Sequence, residues 1–326
     1  MDFTQLLSAM PGSVAQGLIW GIMAIGVYIT YKVLDVADLT VDGTMCTGGA
    51  VCVMMMVTGH NIWLSFVCAI GAGLLCGLMT GIFHVIMGIP AILAGILSQL
   101  ALYSINLKII GSSNQVISSS KYDVLVAIKY VKGVPFYKNT IFIVAVITVV
   151  IIAILYWFFG TALGCSLRAT GSNKNMSRAQ GINTKLNVVI GLMISNGLVA
   201  LSSALYSQYQ GFTDINMGRG AIVIGLAAVI IGAVVFERIF HNFALKLLSV
   251  SFGAVIYYIV LQIVIWLGFD TDLLKLLSAL VVAVFLAVPY WKKMYLPAVK
   301  SIGKRMSIRK SNRMAMANKK SDGGEN

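Results

Sequence analysis

Residues 140–159 read TIFIVAVITVVIIAILYWFF, twenty residues without a charge. A helix of that length spans the ~30 Å hydrocarbon core of a bilayer, at ~1.5 Å per residue. The next residues, GTALGCSLRATGSNKNMSRAQGINTKLN at 160–187, are too polar to remain in lipid. The chain therefore crosses the membrane and then runs along a wet surface. The same alternation repeats outward from this pair. Before it lie apolar runs near Ser13–Leu34, Thr44–Val57 (short), Trp63–Val85 and Ala91–Ile110. After it come Leu186–Tyr206, Ala221–Phe236, Ala244–Leu267 and Leu273–Pro289. With Thr140–Phe159 these make nine candidate crossings. The expected fold is all-α, a polytopic transmembrane helix bundle of about 8–10 spans.

Composition agrees. The chain has 326 residues, 59% hydrophobic and 11% charged, with mean hydropathy +0.90. A soluble domain carries roughly 25% charged residues. A disordered chain, a disulfide scaffold and an ordinary cytosolic enzyme are excluded. The net charge of +13 gathers at one end, where residues 292–326 hold ten Lys or Arg against Asp322 and Glu325. Two domains are expected: a transmembrane domain at 1–291 and a disordered basic tail at 292–326. Such a tail marks the cytoplasmic side and can meet anionic membrane lipid. No folded basic domain accompanies it, so nucleic acid is not an expected partner.

Counting back from a cytoplasmic tail puts the loops at 237–242 and 160–185 in the cytoplasm. The loop at 111–139 and the N-terminus then fall outside. Met1–Met10 lack a basic n-region, so no cleaved signal is expected. Glu237 and Arg238 form a candidate ion pair of little energetic value. Cys46, Cys52, Cys68, Cys76 and Cys165 read as small hydrophobes. His60, His84 and His241 lie too far apart to suggest a metal site. Walker, GxSxG and HExxH patterns are absent from the sequence, so neither catalytic residues nor a cofactor are expected.

Small residues recur at helical spacing in two spans, Gly17/Gly21 and Gly73/Gly77/Gly81, which lets helix backbones approach. The stretch LDVADLTVDGTMCTGGAV at 34–51 sets Asp35, Asp38 and Asp42 at the end of a span. Charges there are costly unless they reach water or a partner. Asp35 reads as an interfacial residue. Asp38 and Asp42, four apart, are predicted to share one helical face, and a Gly-flanked second span suggests a broken helix lining a cavity. Gln99 and Asn196 sit inside otherwise apolar runs. These four residues are the candidate translocation pathway. In the polar loop, Asn173 suits a helix N-cap and Gly181 its C-terminal stop, which predicts a short surface helix over 173–180.

RATGSN at Arg168–Asn173, AQGIN at Ala179–Asn183, SNGLVALSSAL at Ser195–Leu205 and GRGAIVIGLAAVIIG at Gly218–Gly232 form one pattern over roughly 65 residues. It resembles the membrane-subunit family of ABC importers that includes the branched-chain amino acid and ribose permeases. DLTVDG at Asp38–Gly43 is similar to the subgroup assigned to uptake of tryptophan, tyrosine or related amino acids. There the Gly is followed by Ser-Phe; here Thr44-Met45 stand in its place.

The resemblance implies a plasma-membrane permease subunit, with ATP hydrolysis on a separate cytoplasmic ATPase. It implies an extracellular binding lipoprotein that delivers the solute, and a permease homodimer. It makes the short helix a coupling helix, with Arg168, Gly171, Asn173, Lys174, Arg178, Ala179 and Gly181 as the ATPase-coupling residues. Nucleosides and sugars are alternative solutes. A self-sufficient, ion-coupled transporter using the acidic cluster is the rival class.

Overall fold

A computed structural model describes residues 3–268 except 118–121, 123, 132–134, 136–137, 237–239 and 241, and then 276, 278–285 and 287. The chain divides into two compact units, 1–278 and 279–326. In the second unit, the described residues 279–285 and 287 are helical. The basic tail, parts of the ninth candidate span and the Glu237–Arg238 pair lie outside the described residues.

The first unit is a helix bundle. Its helices are α1 (Phe3–Tyr28), α2 (Val41–Val57), α3 (Ile62–Gly81), α4 (Ala91–Ile110), α5 (Thr140–Gly160), α6 (Ala162–Ser172), α7 (Lys174–Ala179), α8 (Thr184–Gln210), α9 (Ala221–Phe236) and α10 (Phe243–Trp266). Five-residue π turns extend α1 over Ile29–Val33 and α3 over Ile82–Ile86. Among the described residues, six helices are long and apolar enough to cross a membrane. The helices α2 and α9 are apolar but shorter. Two three-residue strands, β1 (Asn114–Val116) and β2 (Phe212–Asp214), pair antiparallel and were not foreseen.

Glycine decides how closely the helices approach. A Cβ on Gly73 or Gly77 would collide with the α8 backbone at Asn196 and Leu192. Gly17 meets Val255 and Gly21 meets Ser251, both in α10. Both stripes read from the sequence are therefore packing seams.

The helix α8 serves as a depth gauge. Its first residue, Thr184, accepts a hydrogen bond from Arg178 Nε of α7 (3.0 Å). Near its last residue, the Tyr209 hydroxyl donates to the Gly12 carbonyl of α1 (3.2 Å). So α1 begins at the end opposite α7. Asn196 lies between, roughly 18 Å from Thr184 and roughly 21 Å from Gln210 at ~1.5 Å per residue. Thr44 of α2 meets Asn196, Gly48 lies on Ala200, and Gln208 lies on Cys52. Hence α2 starts at mid-depth and climbs away from α7.

The extended first span, however, ends beside α6, with Val33 against Gly171. Residues 34–40 must bridge that difference. A helix over seven residues reaches only ~10 Å, while an extended chain reaches ~23 Å. The segment is accordingly non-helical, and Asp35 turns it with a left-handed φ of 54°. A second break mirrors it. Past β2 the chain returns to mid-depth, where Gly218 lies on the Asp42 backbone. From there α9 runs toward the α7 end, passing Val27 at Gly225 and Ser249 at Gly232.

Candidate translocation pathway and coupling surface

The two breaks meet in a polar knot. Asp38 is 2% exposed. One of its carboxylate oxygens accepts from the Thr40 backbone N–H (2.9 Å) and the other from Asn196 Nδ2 (2.7 Å). Asn196 also donates to the Leu192 carbonyl (3.0 Å) and accepts from the Thr44 hydroxyl (2.6 Å). Thr40 and Thr80 share a hydroxyl bond of 2.6 Å, and Thr80 donates to Ser98 (2.8 Å). Hydrogen bonds thus tie α2, α3, α4 and α8 together at the level where the second span breaks. Each supplies what lipid cannot offer to the freed polar groups.

Asp42 does a different job. Its carboxylate accepts from the backbone N–H groups of Gly220 (3.0 Å) and Ile222 (2.9 Å). It therefore caps the start of α9, where the helix dipole favours a negative charge. The expectation that Asp38 and Asp42 share a helical face is corrected. Asp38 precedes the helix, because residues 34–40 are non-helical, and the two carboxylates serve different neighbours. Asp35 is exposed, as read.

Asp42 and Gln99 border one cavity of about 270 Å³, together with Cys46, Tyr103, Asn106 and Arg219. It lies between mid-depth and the end opposite α7. Asn196 and Asp38 stand behind its wall rather than in it. Arg219, which borders this cavity, was not among the residues singled out from the sequence. A lone arginine before an apolar run is the signal that points to it.

The opposite end carries the predicted short helix as α7. Asn173 caps it, its side chain accepting from the Met176 N–H (3.0 Å), and Gly181 follows with φ 77°. The preceding helix α6 was not foreseen. The Thr161 hydroxyl caps it by accepting from the Gly164 N–H (3.3 Å). Lys174, Arg178 and Ala179 are exposed, and so is Met176, at 64%. Gly171 faces inward onto Val33 and Leu34. Arg168 points elsewhere, its guanidinium 5.8 Å from the Phe243 ring centre. Lys174 and Arg178 border a cavity with His84 and Val85 of the α3 π turn. Both π turns therefore end where α6 and α7 rest.

Comparison with known proteins identifies the family. Residues 10–288 match the family described as branched-chain amino acid transport system, permease component. A tyrosine transport system permease protein of Clostridioides difficile is 37% identical over 86% of this chain and 91% of its own length. An uncharacterised protein of Rickettsia prowazekii is 36% identical over 83% of this chain and 94% of its own. The fructose import permease protein of Bifidobacterium longum is 26% identical over 76% of this chain and 68% of its own. Among solved structures, PsaBC from Streptococcus pneumoniae in complex with Fab shares the fold. Its TM-score is 0.52 at 15% identity, covering 88% of this chain and 95% of that one. A multi-pass bundle with a capped surface helix and this family match leaves one assignment: the chain belongs to the branched-chain amino acid transport permease family of ABC importers.

Proposed function

We propose that the chain is the membrane-spanning subunit of an importer for an amino acid of the aromatic type. An extracellular binding protein delivers the solute. A separate ATPase docks on α7, and a second copy of the permease completes the pathway. The α6–α7 end is then cytoplasmic, the N-terminus outside and the basic tail cytoplasmic.

The observation that carries this reading is a mechanical connection. The exposed helix α7 adjoins α6, whose Gly171 sits on Val33 and Leu34. Those residues lead into the non-helical segment that runs to Asp38 and then to α2. A push on α7 therefore reaches the mid-depth break through one short run of backbone. Alternation between two arrangements of the broken spans, biased by ATP and by the loaded binding protein, would pass the solute. The 37% identity to a tyrosine permease supports the solute class. The ion-coupled alternative would load its ion at Asp38 or Asp42, whereas Asp38 is buried and held by Thr40 and Asn196, and Asp42 holds the start of α9.

Uptake in proteoliposomes tests the proposal. The permease, its co-purified ATPase and its binding protein should import tritiated tyrosine only with ATP. Transport by the permease alone, driven by an ion gradient, would overturn it.

A further inference from the structure

The cavity on the side opposite α7 has chemistry that the fold itself does not use. Arg219 borders it and is exposed, on a loop whose neighbour Gly218 packs on Asp42 at mid-depth. A guanidinium at that depth is costly unless it faces water, an anion or a partner. On another wall stands Asn106, 1% exposed. Its Nδ2 donates to the Gly43 carbonyl (3.3 Å), so its Oδ1 is the end left over. Turning the amide over would set two oxygens against each other, which fixes this orientation. That Oδ1 is buried without a hydrogen-bond partner. The adjacent Cys46 thiol turns instead to the Asp214 carbonyl (3.7 Å). A buried acceptor left unsatisfied costs about 1–3 kcal/mol, so an N–H or O–H donor from outside the chain is favoured there.

We infer that this cavity is a binding site for the zwitterionic head of an amino acid. The Arg219 guanidinium takes the α-carboxylate, and Asn106 Oδ1 with the Asp42 carboxylate takes the α-ammonium. Asp42 keeps its two backbone N–H bonds to α9 and still presents negative charge to the cavity. The Tyr103 ring and the Leu100 and Ile215 side chains line the rest, which suits an apolar or aromatic side chain. The site also gives Asp42 a second consequence. The carboxylate that would read the ammonium is the one that holds α9, so occupancy reports directly to a broken span. This assignment rests on the amino acid reading above and deepens it.

The test uses the complete transporter in proteoliposomes, with the binding protein outside and ATP inside. Arg219→Gln should lower tyrosine uptake about 10- to 100-fold, the scale of a lost charge-assisted bond, with assembly of the complex unchanged. Arg219→Lys should recover part of it. Asn106→Leu should lower uptake about 10-fold. A second readout bypasses the binding protein. Tyrosine should bind the detergent-solubilised wild-type complex without the binding protein, and tyramine, which lacks the carboxylate, should not. In Arg219→Gln the two should become equivalent. Wild-type uptake and discrimination in Arg219→Gln would overturn the site while leaving the proposed function standing. So would a loss of uptake that follows only a loss of permease pairing. Import of a nucleoside or sugar but of no amino acid would overturn the proposed function, and this site with it.

Discussion

Asn196 and Met176 stand at opposite extremes of the molecule. Asn196 is 0% exposed and makes three hydrogen bonds at the level where two spans break. Met176 is 64% exposed on a six-residue helix held by a cap at one end and a glycine at the other. The first region is over-determined, because unsatisfied polar groups in lipid cost several kcal/mol each. The second is under-determined, since a short helix gains little stability by itself. One region holds the fold, and the other waits for something to hold. A permease needs both, joined so that one moves the other.

Four substitutions grade that contrast. Asn196→Leu should cost most, about 3–4 kcal/mol, because it strips a donor from a buried carboxylate and leaves the Thr44 hydroxyl unpaired. Chemical denaturation in mild detergent measures this, and a loss below about 1 kcal/mol would break the contrast. Gly77→Val comes next, at about 2–3 kcal/mol, since a side chain there meets the Leu192 backbone. Asp42→Ala should cost about 1–2 kcal/mol through the lost α9 cap, and Asp42→Asn much less, because asparagine also caps. The same unfolding assay separates these two. Arg178→Ala should change stability least, by within about 0.5 kcal/mol, yet lower ATP-driven uptake. Equal effects of Arg178→Ala and Asn196→Leu on stability would erase the distinction between the regions.

The sequence and the structure part company along the same line. Helices α4 and α5 were legible almost to the residue, because a predominantly apolar run of about twenty residues has one reading in a bilayer. The helix α7 was legible from its caps, Asn173 and Gly181. Residues 34–40 were not. Their composition suits an interfacial loop, and the need for a non-helical path between two depths appears only once α1 ends beside α6 and α2 starts at Asn196. Asp38 therefore looked like a helical neighbour of Asp42 and is not one. The helix α6 escaped notice because Gly164, Thr170 and Gly171 lower its propensity, although Thr161 caps it. The depth of Arg219 depends on the length of α8 and on the return after β2, and neither is written near Arg219. Orientation, partners and solute rest on charge bias and resemblance rather than on any one residue.

The central claim is that α7 is where an ATPase grips this bundle. A photo-crosslinking amino acid at Met176, in the assembled transporter, tests it most directly. The account predicts a crosslink to the ATPase subunit from position 176 and none from Val149, an exposed apolar residue of α5. An ATPase that co-purifies yet never crosslinks from position 176 would contradict it.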